Sequence, residues 1–369
     1  MKSNPILRAG LVAGLGMASV GAWATECDYA LSYYQSYVSM NDLSGAEYIV
    51  SNHPECFGGS GATSQAQINA TAFTQVAAIS NALAQRLASG GPVATASLGL
   101  KGMAAGSAAG KWNFWGNLNN SDTRQSYTGA NGFKTKNQSD VMTVVLGGDY
   151  ALSNTLNLGV SGAFDEGDGS GINRAPGNTP NGSQTNGYLI APYLGWQFAK
   201  SWSVDASAGF GRGRLETNTN TDVSASRWFA AANLNYNRWM GNWQFTGRAS
   251  LLHGVEDYND IKNSTTGAKF VGTDARNTLD QLRLGVQAGY WMNGVMPYVS
   301  LAYTNDIRRK TTQFGVSGNP IGRDAWVWGL GMNFYSLKDG VTGGVGYSQE
   351  TGRNNQTNYG LMANINIRF

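Results

Sequence analysis

The sequence predicts an all-β protein, an antiparallel transmembrane β-barrel of about twelve strands with an N-terminal α-helix inside the pore and a small disulfide-linked helical cap. From Lys111 onward, apolar and polar side chains alternate with the period of two that strands require. Short turns alternate with longer polar stretches, as in barrels that cross a membrane. The chain has 50 glycines and 11% aromatic residues but only 13% charged residues, which suits strands with one face in lipid and the other in water.

The N-terminal segment has the features of a secretory signal peptide. Lys2 and Arg8 make its start basic, and a short run of apolar and small residues follows. Ala22-Trp23-Ala24 supplies the small-x-small pattern that signal peptidase reads. We therefore expect residues 1–24 to be removed by cleavage between Ala24 and Thr25, and the mature chain to be exported to the bacterial cell envelope.

Residues 25–62 are predicted to form a small cap. Asp28–Met40 and Asp42–Ser51 carry apolar side chains at helical spacing, and Cys27 and Cys56 bracket these two segments. In an exported chain, two cysteines at this separation predict a disulfide, which would stabilise the cap by roughly 3–4 kcal/mol. The alternative is a metal site, although no CxxC motif is present.

Residues 63–106 are predicted to contain one long helix and a Gly/Ala-rich linker. The helix runs from about Ser64 to Ser89 and ends at Gly90-Gly91-Pro92. At about 1.5 Å per residue it reaches roughly 39 Å, enough to cross a membrane-thick pore. Arg86 is its only charged residue, so it is too polar to face lipid and too poorly charged for a surface helix. We interpret it as threaded through a polar lumen; the alternative is an amphipathic helix docked on a soluble domain.

Residues 107–369 are predicted to form the barrel, with an even number of strands, so that both of its ends lie at the periplasmic face. Tight periplasmic turns and long outer loops are typical of such barrels. The strands are placed near 111–120, 138–152, 154–166, 184–199, 201–215, 223–239, 242–257, 275–292, 295–309, 323–337, 340–350 and 357–369. The longer polar stretches, predicted as outer loops, are 121–136, 166–183, 258–274 and 310–322.

Aromatic residues cluster beside the short turns, where a periplasmic aromatic girdle is expected. Its predicted members are Tyr150, Trp196, Phe198, Trp202, Tyr236, Trp239, Trp243, Tyr290, Trp291, Phe334 and Tyr335.

The segment at 359–369 resembles the terminal signal that the barrel-assembly machinery reads in outer-membrane proteins. It alternates strictly and closes on an aromatic residue. The residues that carry the resemblance are Tyr359, Gly360, Leu361, Ala363, Ile365, Ile367 and Phe369.

Together with the helix that precedes the strands, this layout resembles a monomeric autotransporter of the type V secretion class. The resemblance implies a Gram-negative outer-membrane barrel that translocates and displays its own N-terminal segment. Its implied partners are outer-membrane lipids, lipopolysaccharide, periplasmic chaperones and the barrel-assembly machinery, and the implied state is a monomer.

The chain departs from the family in having only Thr25–Ala62 ahead of the helix and no Asn-Asn cleavage pair, so we expect an unprocessed passenger. The alternative is a porin-like channel with a helical plug.

By parity, several polar side chains in the strands point into the lumen. We expect Asp149, Asp205, Arg248, Arg283 and Gln287 to contact the pore helix. Our hypothesis is that Arg248 and Arg283 bind its C-terminal half. Mutual neutralisation of these charges and a role in ion preference are the other interpretations.

The sequence gives little support for catalysis, cofactors or metals. Of the two histidines, His53 is interpreted as a helix stop and His253 is expected to face outward without a nearby serine, so an outer-membrane hydrolase is a remote alternative. Gly209–Gly213 is interpreted as close-packed strand backbone rather than a nucleotide loop. Asp165–Gly169 lacks the calcium-loop spacing and is expected to be a solvated outer loop.

Without residues 1–24 the formal net charge falls from +3 to +1, which argues against nucleic-acid binding.

Overall fold

The computed structural model describes residues 26–40, 42–52, 111–128, 134–173, 181–217, 221–263, 275–310, 321–336 and 340–368. These residues form two helices, α1 (Glu26–Ser39) and α2 (Leu43–Asn52), and twelve strands. The strands are β1 (Trp112–Thr128), β2 (Lys134–Ala151), β3 (Leu156–Asn173), β4 (Asn181–Ala199), β5 (Trp202–Thr217), β6 (Thr221–Met240), β7 (Trp243–Asn263), β8 (Ala275–Tyr290), β9 (Val295–Lys310), β10 (Asp324–Ser336), β11 (Val341–Thr351) and β12 (Gln356–Arg368).

The twelve strands form a closed barrel in which each strand pairs with its neighbours in the sequence. The first and last strands close the ring, antiparallel, with a register that runs from Asn113 opposite Arg368 to Gln125 opposite Gln356. The predicted all-β, twelve-stranded antiparallel barrel is therefore confirmed.

The barrel has two unlike ends. At the turn end, the hairpin connections are 152–155, 200–201, 241–242, 291–294 and 337–340. Gly241 and Gly294 adopt positive φ angles of 60° and 94° there, which lets the chain reverse in few residues. The opposite end is the loop end, where the strands reach further and most connections lie outside the described residues. The start of β1 and the end of β12 both lie at the turn end.

The outward face of the barrel carries an apolar belt that starts at the turn end. On β7 the outward side chains are apolar from Trp243 to Leu251, and the next one is His253; on β3 the apolar series ends at Phe164, before Glu166. The belt therefore covers about ten residues of each strand, or about 25 Å for strands tilted by about 40°. This height matches the hydrocarbon layer that outer-membrane barrels cross.

Aromatic side chains lie at both edges of this belt. At the turn end, Trp112 packs edge-on against Tyr150 with ring centroids 5.0 Å apart. Near the loop end, where the sequence predicted no girdle, Tyr303 contacts Trp326 at 5.3 Å. Three predicted members of the turn-end girdle, Trp239, Trp291 and Tyr335, lie instead at lumen-facing positions.

The inward face contains an apolar core on the β1–β7 side, alongside many polar residues. The core consists of buried lumen-facing side chains: Trp115, Val145, Ala163, Leu189, Ala191, Tyr193, Phe229, Ala231 and Leu252. The lumen wall is therefore less uniformly polar than the sequence pattern predicts.

The strands are longer at the loop end than the sequence indicates. β7 has 21 residues whereas β11 has 11, so the β1–β7 side rises as a wall above the membrane belt. Within the described residues, the predicted loops 121–136 and 166–183 are strand in this wall, and β7 extends to Asn263, into the predicted loop 258–274. The prediction was wrong there because outward residues above the belt are polar, so the contrast between the two strand faces disappears.

The cap region folds as a helical hairpin. Ala30, Tyr34 and Ala46 form its small core, and the Asp42 carboxylate accepts a hydrogen bond from the Gly45 N–H at 3.0 Å, which caps α2. A side chain at position 45 would overlap the Tyr37 ring, so glycine is required for this approach. Neither described helix is long and apolar enough to cross a membrane. The predicted Cys27–Cys56 disulfide and pore helix 64–89 lie outside what the structure describes.

The belt predicts where the barrel tolerates charge. Val160 is 53% exposed and lies at mid-belt on β3, whereas Ser170 has the same outward orientation above the belt. We expect Val160→Lys to destabilise the inserted barrel by about 2–4 kcal/mol and Ser170→Lys to change little. Urea titration of the barrel in lipid vesicles measures this difference. Equal sensitivity at the two positions would show that the belt does not face lipid.

Candidate functional site: the barrel lumen

The five lumen residues singled out in the sequence occupy inward-facing positions on three parts of the wall. Asp149 lies on β2, Asp205 on β5, Arg248 on β7, and Arg283 and Gln287 on β8. Asp149 and Asp205 are almost fully buried. Their proposed contacts with the pore helix stay a prediction, because that helix lies outside the described residues.

Asp149 is held by groups from two other strands. It accepts hydrogen bonds from Asn113 Nδ2 at 2.9 Å and from the Tyr193 hydroxyl at 3.2 Å. Trp115 Nε1 in turn donates to the Tyr193 oxygen at 2.7 Å. The Tyr193 ring crosses β3 at Gly159, where any Cβ would overlap it. The cluster therefore links β1, β2 and β4 across the lumen face of the wall.

Asp205 and Arg248 are connected through asparagines. Asp205 accepts hydrogen bonds from Asn233 Nδ2 at 2.6 Å and Asn235 Nδ2 at 2.7 Å. The oxygen of Asn235 accepts a bond from Arg248 Nε at 2.9 Å. Arg283 lies one strand away, opposite Ser250. Arg248 and Arg283 thus form a basic patch on the β7–β8 wall. The side-chain amide of Asn235 lies between Arg248 and the Asp205 carboxylate.

An ionic cluster that the sequence analysis did not predict lies nearer the loop end than Asp205 and Arg248. Arg227 on β6 binds Glu256 on the adjacent β7 through Nε and reaches Asp165 on β3 through Nη1 at 3.0 Å. Glu256 also accepts a hydrogen bond from the Tyr258 hydroxyl. Both carboxylates are fully buried. Because Arg227 lies on β6 and Asp165 on β3, the cluster joins strands that are not neighbours in the sheet.

Glycines make this long reach possible. Asp165, Gly187 and Gly213 lie side by side on β3, β4 and β5, and a Cβ at either glycine would overlap the Arg227 guanidinium. The interpretation of 209–213 as close-packed backbone agrees with this contact. The expectation that Asp165–Gly169 is a solvated loop was wrong, because the segment is part of β3 and Asp165 is buried.

A third cluster fastens the loop end of β9–β12. Arg353, in the β11–β12 turn, binds Asp306 through Nη1 and Glu350 through Nε, each at 2.8 Å. Its Nη1 also donates to the carbonyl of Gly322 at 2.9 Å. Arg309 binds Asp306 as well, because a bulge near Asp280 and Gln281 turns its side chain inward. The short turn is therefore anchored to the connection that precedes β10.

A family model described as the autotransporter β-domain matches residues 114–348, which is more than half of the chain. The chain belongs to the autotransporter β-domain family. It is an outer-membrane autotransporter barrel of the type V secretion class, as the resemblance implied. A comparison with curated protein sequences gives no match.

Solved autotransporter structures share the fold. The translocator domain of the autotransporter NalP from Neisseria meningitidis has a TM-score of 0.54 and 13% identity, covering 81% of this chain and 99% of that one. The transport unit of the autotransporter AIDA-I from Escherichia coli has a TM-score of 0.53 and 14% identity, covering 78% of this chain and 98% of that one. At such identities the likeness concerns the fold alone.

In this autotransporter barrel, His253 lies on the outward face, as the alternation predicts. Its ring lies 4.8 Å from that of Trp228, and its Nδ1 contacts the Asp280 carboxylate. These groups sit at the upper edge of the membrane belt rather than in the lumen. Within the described residues, no group of three or more His, Cys, Asp or Glu side chains could hold a metal ion.

The strand that resembles an assembly signal is β12. Tyr359, Leu361, Ala363, Ile365 and Ile367 lie on its outward face, whereas Gly360 faces inward beside Ser348. Phe369 lies outside the described residues. The Arg124 guanidinium stacks over the Tyr359 ring at 5.5 Å across the closing seam. Recognition of this strand by the assembly machinery stays a prediction.

The Arg227 cluster predicts a large loss of stability when its cation is removed. Arg227→Met leaves two buried carboxylates without their shared partner, and we expect a loss of about 3–5 kcal/mol. Arg214 forms a comparable ion pair with Asp222 at 2.7 Å on the exposed surface, so Arg214→Met should lose at most about 1 kcal/mol. Urea midpoints of the purified barrel in detergent measure both values. Equal small losses would show that the cluster contributes no specific stability.

Proposed function

We propose that this barrel translocates its own N-terminal segment, residues 25–62, and displays it at the cell surface without cleaving it. The observation that carries the proposal is the position of the chain ends: β1 begins at the turn end of a closed autotransporter barrel. With that end in the periplasm, the preceding chain reaches the surface only by passing through the lumen. The short turns favour this orientation, since outer-membrane barrels have tight periplasmic turns.

In this proposal, residues 64–89 form the helix that stays in the lumen after translocation. The basic patch of Arg248 and Arg283 supports this assignment. The carbonyl groups at the C-terminal end of a helix carry a partial negative charge, which favours contact with cations. Gln287 lies on the same strand as Arg283, two inward positions nearer the turn end, and offers both a donor and an acceptor to the polar helix surface.

The remaining features of the proposal concern biogenesis. The signal peptide is cleaved after Ala24, the Cys27–Cys56 disulfide closes the cap, and the assembly machinery inserts the barrel as a monomer. The role is structural and transport-related rather than catalytic. The cap helices support display, since Asp42 and Tyr34 give them a local cap and core of their own.

The first prediction from this function concerns the side of the membrane on which the cap lies. We expect an epitope tag at Ser44, which is exposed on α2, to be removed when intact cells are treated with a protease. The same tag at Ser153, in a turn-end connection, should be protected until the outer membrane is opened. Loss of the Ser153 tag, or protection of the Ser44 tag, would contradict surface display and favour a channel with a periplasmic plug.

The second prediction concerns the helix contacts. We expect the double variant Arg248→Ala/Arg283→Ala to unfold at lower temperature in a heat-modifiability gel and to conduct more ions in planar bilayers, because the helix is held less firmly. Arg238→Ala removes an exposed, outward-facing arginine from β6 and is the matched control. The helix assignment is wrong if both properties of the double variant equal those of the control.

A further inference from the structure

The outward face of β4–β6 carries a cation at the upper edge of the apolar belt. Arg212 on β5 is exposed, and its position is about ten residues above the turn end, where lipid head groups begin. It lies opposite Tyr188 on β4 and Ser226 on β6. All three side chains point away from the barrel, so their polar atoms face the same layer of the surrounding membrane.

Arg212 differs from the cation next to it on the strand. Arg214, the next outward residue, is bound to Glu216 at 3.0 Å and Asp222 at 2.7 Å. By contrast, no carboxylate among the described residues forms an ion pair with Arg212. Its cross-strand neighbours are hydroxyl-bearing residues, which can donate to an anion without competing for the guanidinium charge.

Directly below Arg212, the surface changes to aromatic and then to very small side chains. Phe210 is 64% exposed and lies opposite Trp228. Beneath these rings the wall is formed by two cross-strand alanine pairs, Ala208 with Ala230 and Ala206 with Ala232. Leu194 on β4 and Leu251 on β7 flank the lower pair. Because alanine is so much shorter than leucine, the two pairs leave a short, shallow groove that ends at the Val204–Leu234 pair below.

We propose that this surface binds one molecule of lipopolysaccharide from the outer leaflet. Arg212 binds a phosphate of its head group, with the hydroxyls of Tyr188 and Ser226 as further donors, and an acyl chain lies in the alanine groove below Phe210 and Trp228. The charge of the cation, its height on the barrel and the groove beneath it all match an anionic, acylated lipid. The proposal rests on the orientation in the proposed function, which places the loop end outside.

The test measures binding of purified lipopolysaccharide to the full-length protein in detergent by native mass spectrometry. We expect Arg212→Gln to weaken binding about tenfold, the effect of losing one charge-assisted hydrogen bond. Arg238→Gln is the matched control, because Arg238 is an exposed, outward arginine at the turn end of β6. Dephosphorylated lipopolysaccharide should bind wild-type protein as weakly as the intact lipid binds Arg212→Gln. Ala230→Leu, which fills the groove but keeps the charge, should also weaken binding.

Three outcomes would overturn the proposal. Wild-type affinity in Arg212→Gln would show that the cation is not used. Equal, Arg212-dependent binding of phosphatidylglycerol would show a general anion site without selection for lipopolysaccharide. Loss in Arg238→Gln instead of Arg212→Gln would show that the lipid binds at the turn end and not at the upper edge of the belt. The Ser44 tag experiment does not involve Arg212, so failure of surface display alone is a separate result.

Discussion

The closure of the sheet on itself is the constraint on which the rest of this structure depends. A bilayer offers no water to an unpaired backbone N–H or C=O, so a strand that enters it must be bonded on both edges. The β1–β12 seam meets this requirement, with continuous antiparallel pairing from Asn113–Arg368 to Gln125–Gln356. Once the ring is closed, alternate side chains must face lipid and lumen, and the outward apolar belt and inward polar groups follow.

The lumen poses a different problem, because its buried polar groups must find hydrogen-bond partners. The Asp149 and Asp205 clusters do this with amide and phenol donors from nearby strands. The Arg227 cluster does it over a longer distance, between β6 and β3. Such reach requires that the strands in between present no side chain, which Gly187 and Gly213 achieve. In this barrel, glycine therefore provides space for cross-lumen contacts as well as tight turns.

The outward and inward faces of the barrel carry different sets of polar residues. The outward face above the belt carries charged and hydroxyl-bearing residues such as Arg212 and Ser226, which suit a head-group layer. The inward face on the β7–β8 side carries Arg248 and Arg283, which suit the end of a polar helix. Neither set belongs to the apolar core of the wall. Arg212 forms no ion pair with a described carboxylate, whereas Arg248 is tied through Asn235 to the buried Asp205.

The sequence by itself determined the strand number, the antiparallel order and the two faces, because a period of two over about ten membrane-embedded residues is a strong local signal. It also identified Asp149, Asp205, Arg248 and Arg283 as inward-facing, since parity along a strand is local. Only the tertiary structure decided the height of the β1–β7 wall and the partners of Asp165. Above the membrane both faces are polar, so periodicity loses its contrast there. The Arg227–Asp165 contact depends on strand register and on barrel curvature, which bring together residues 62 positions apart in the chain.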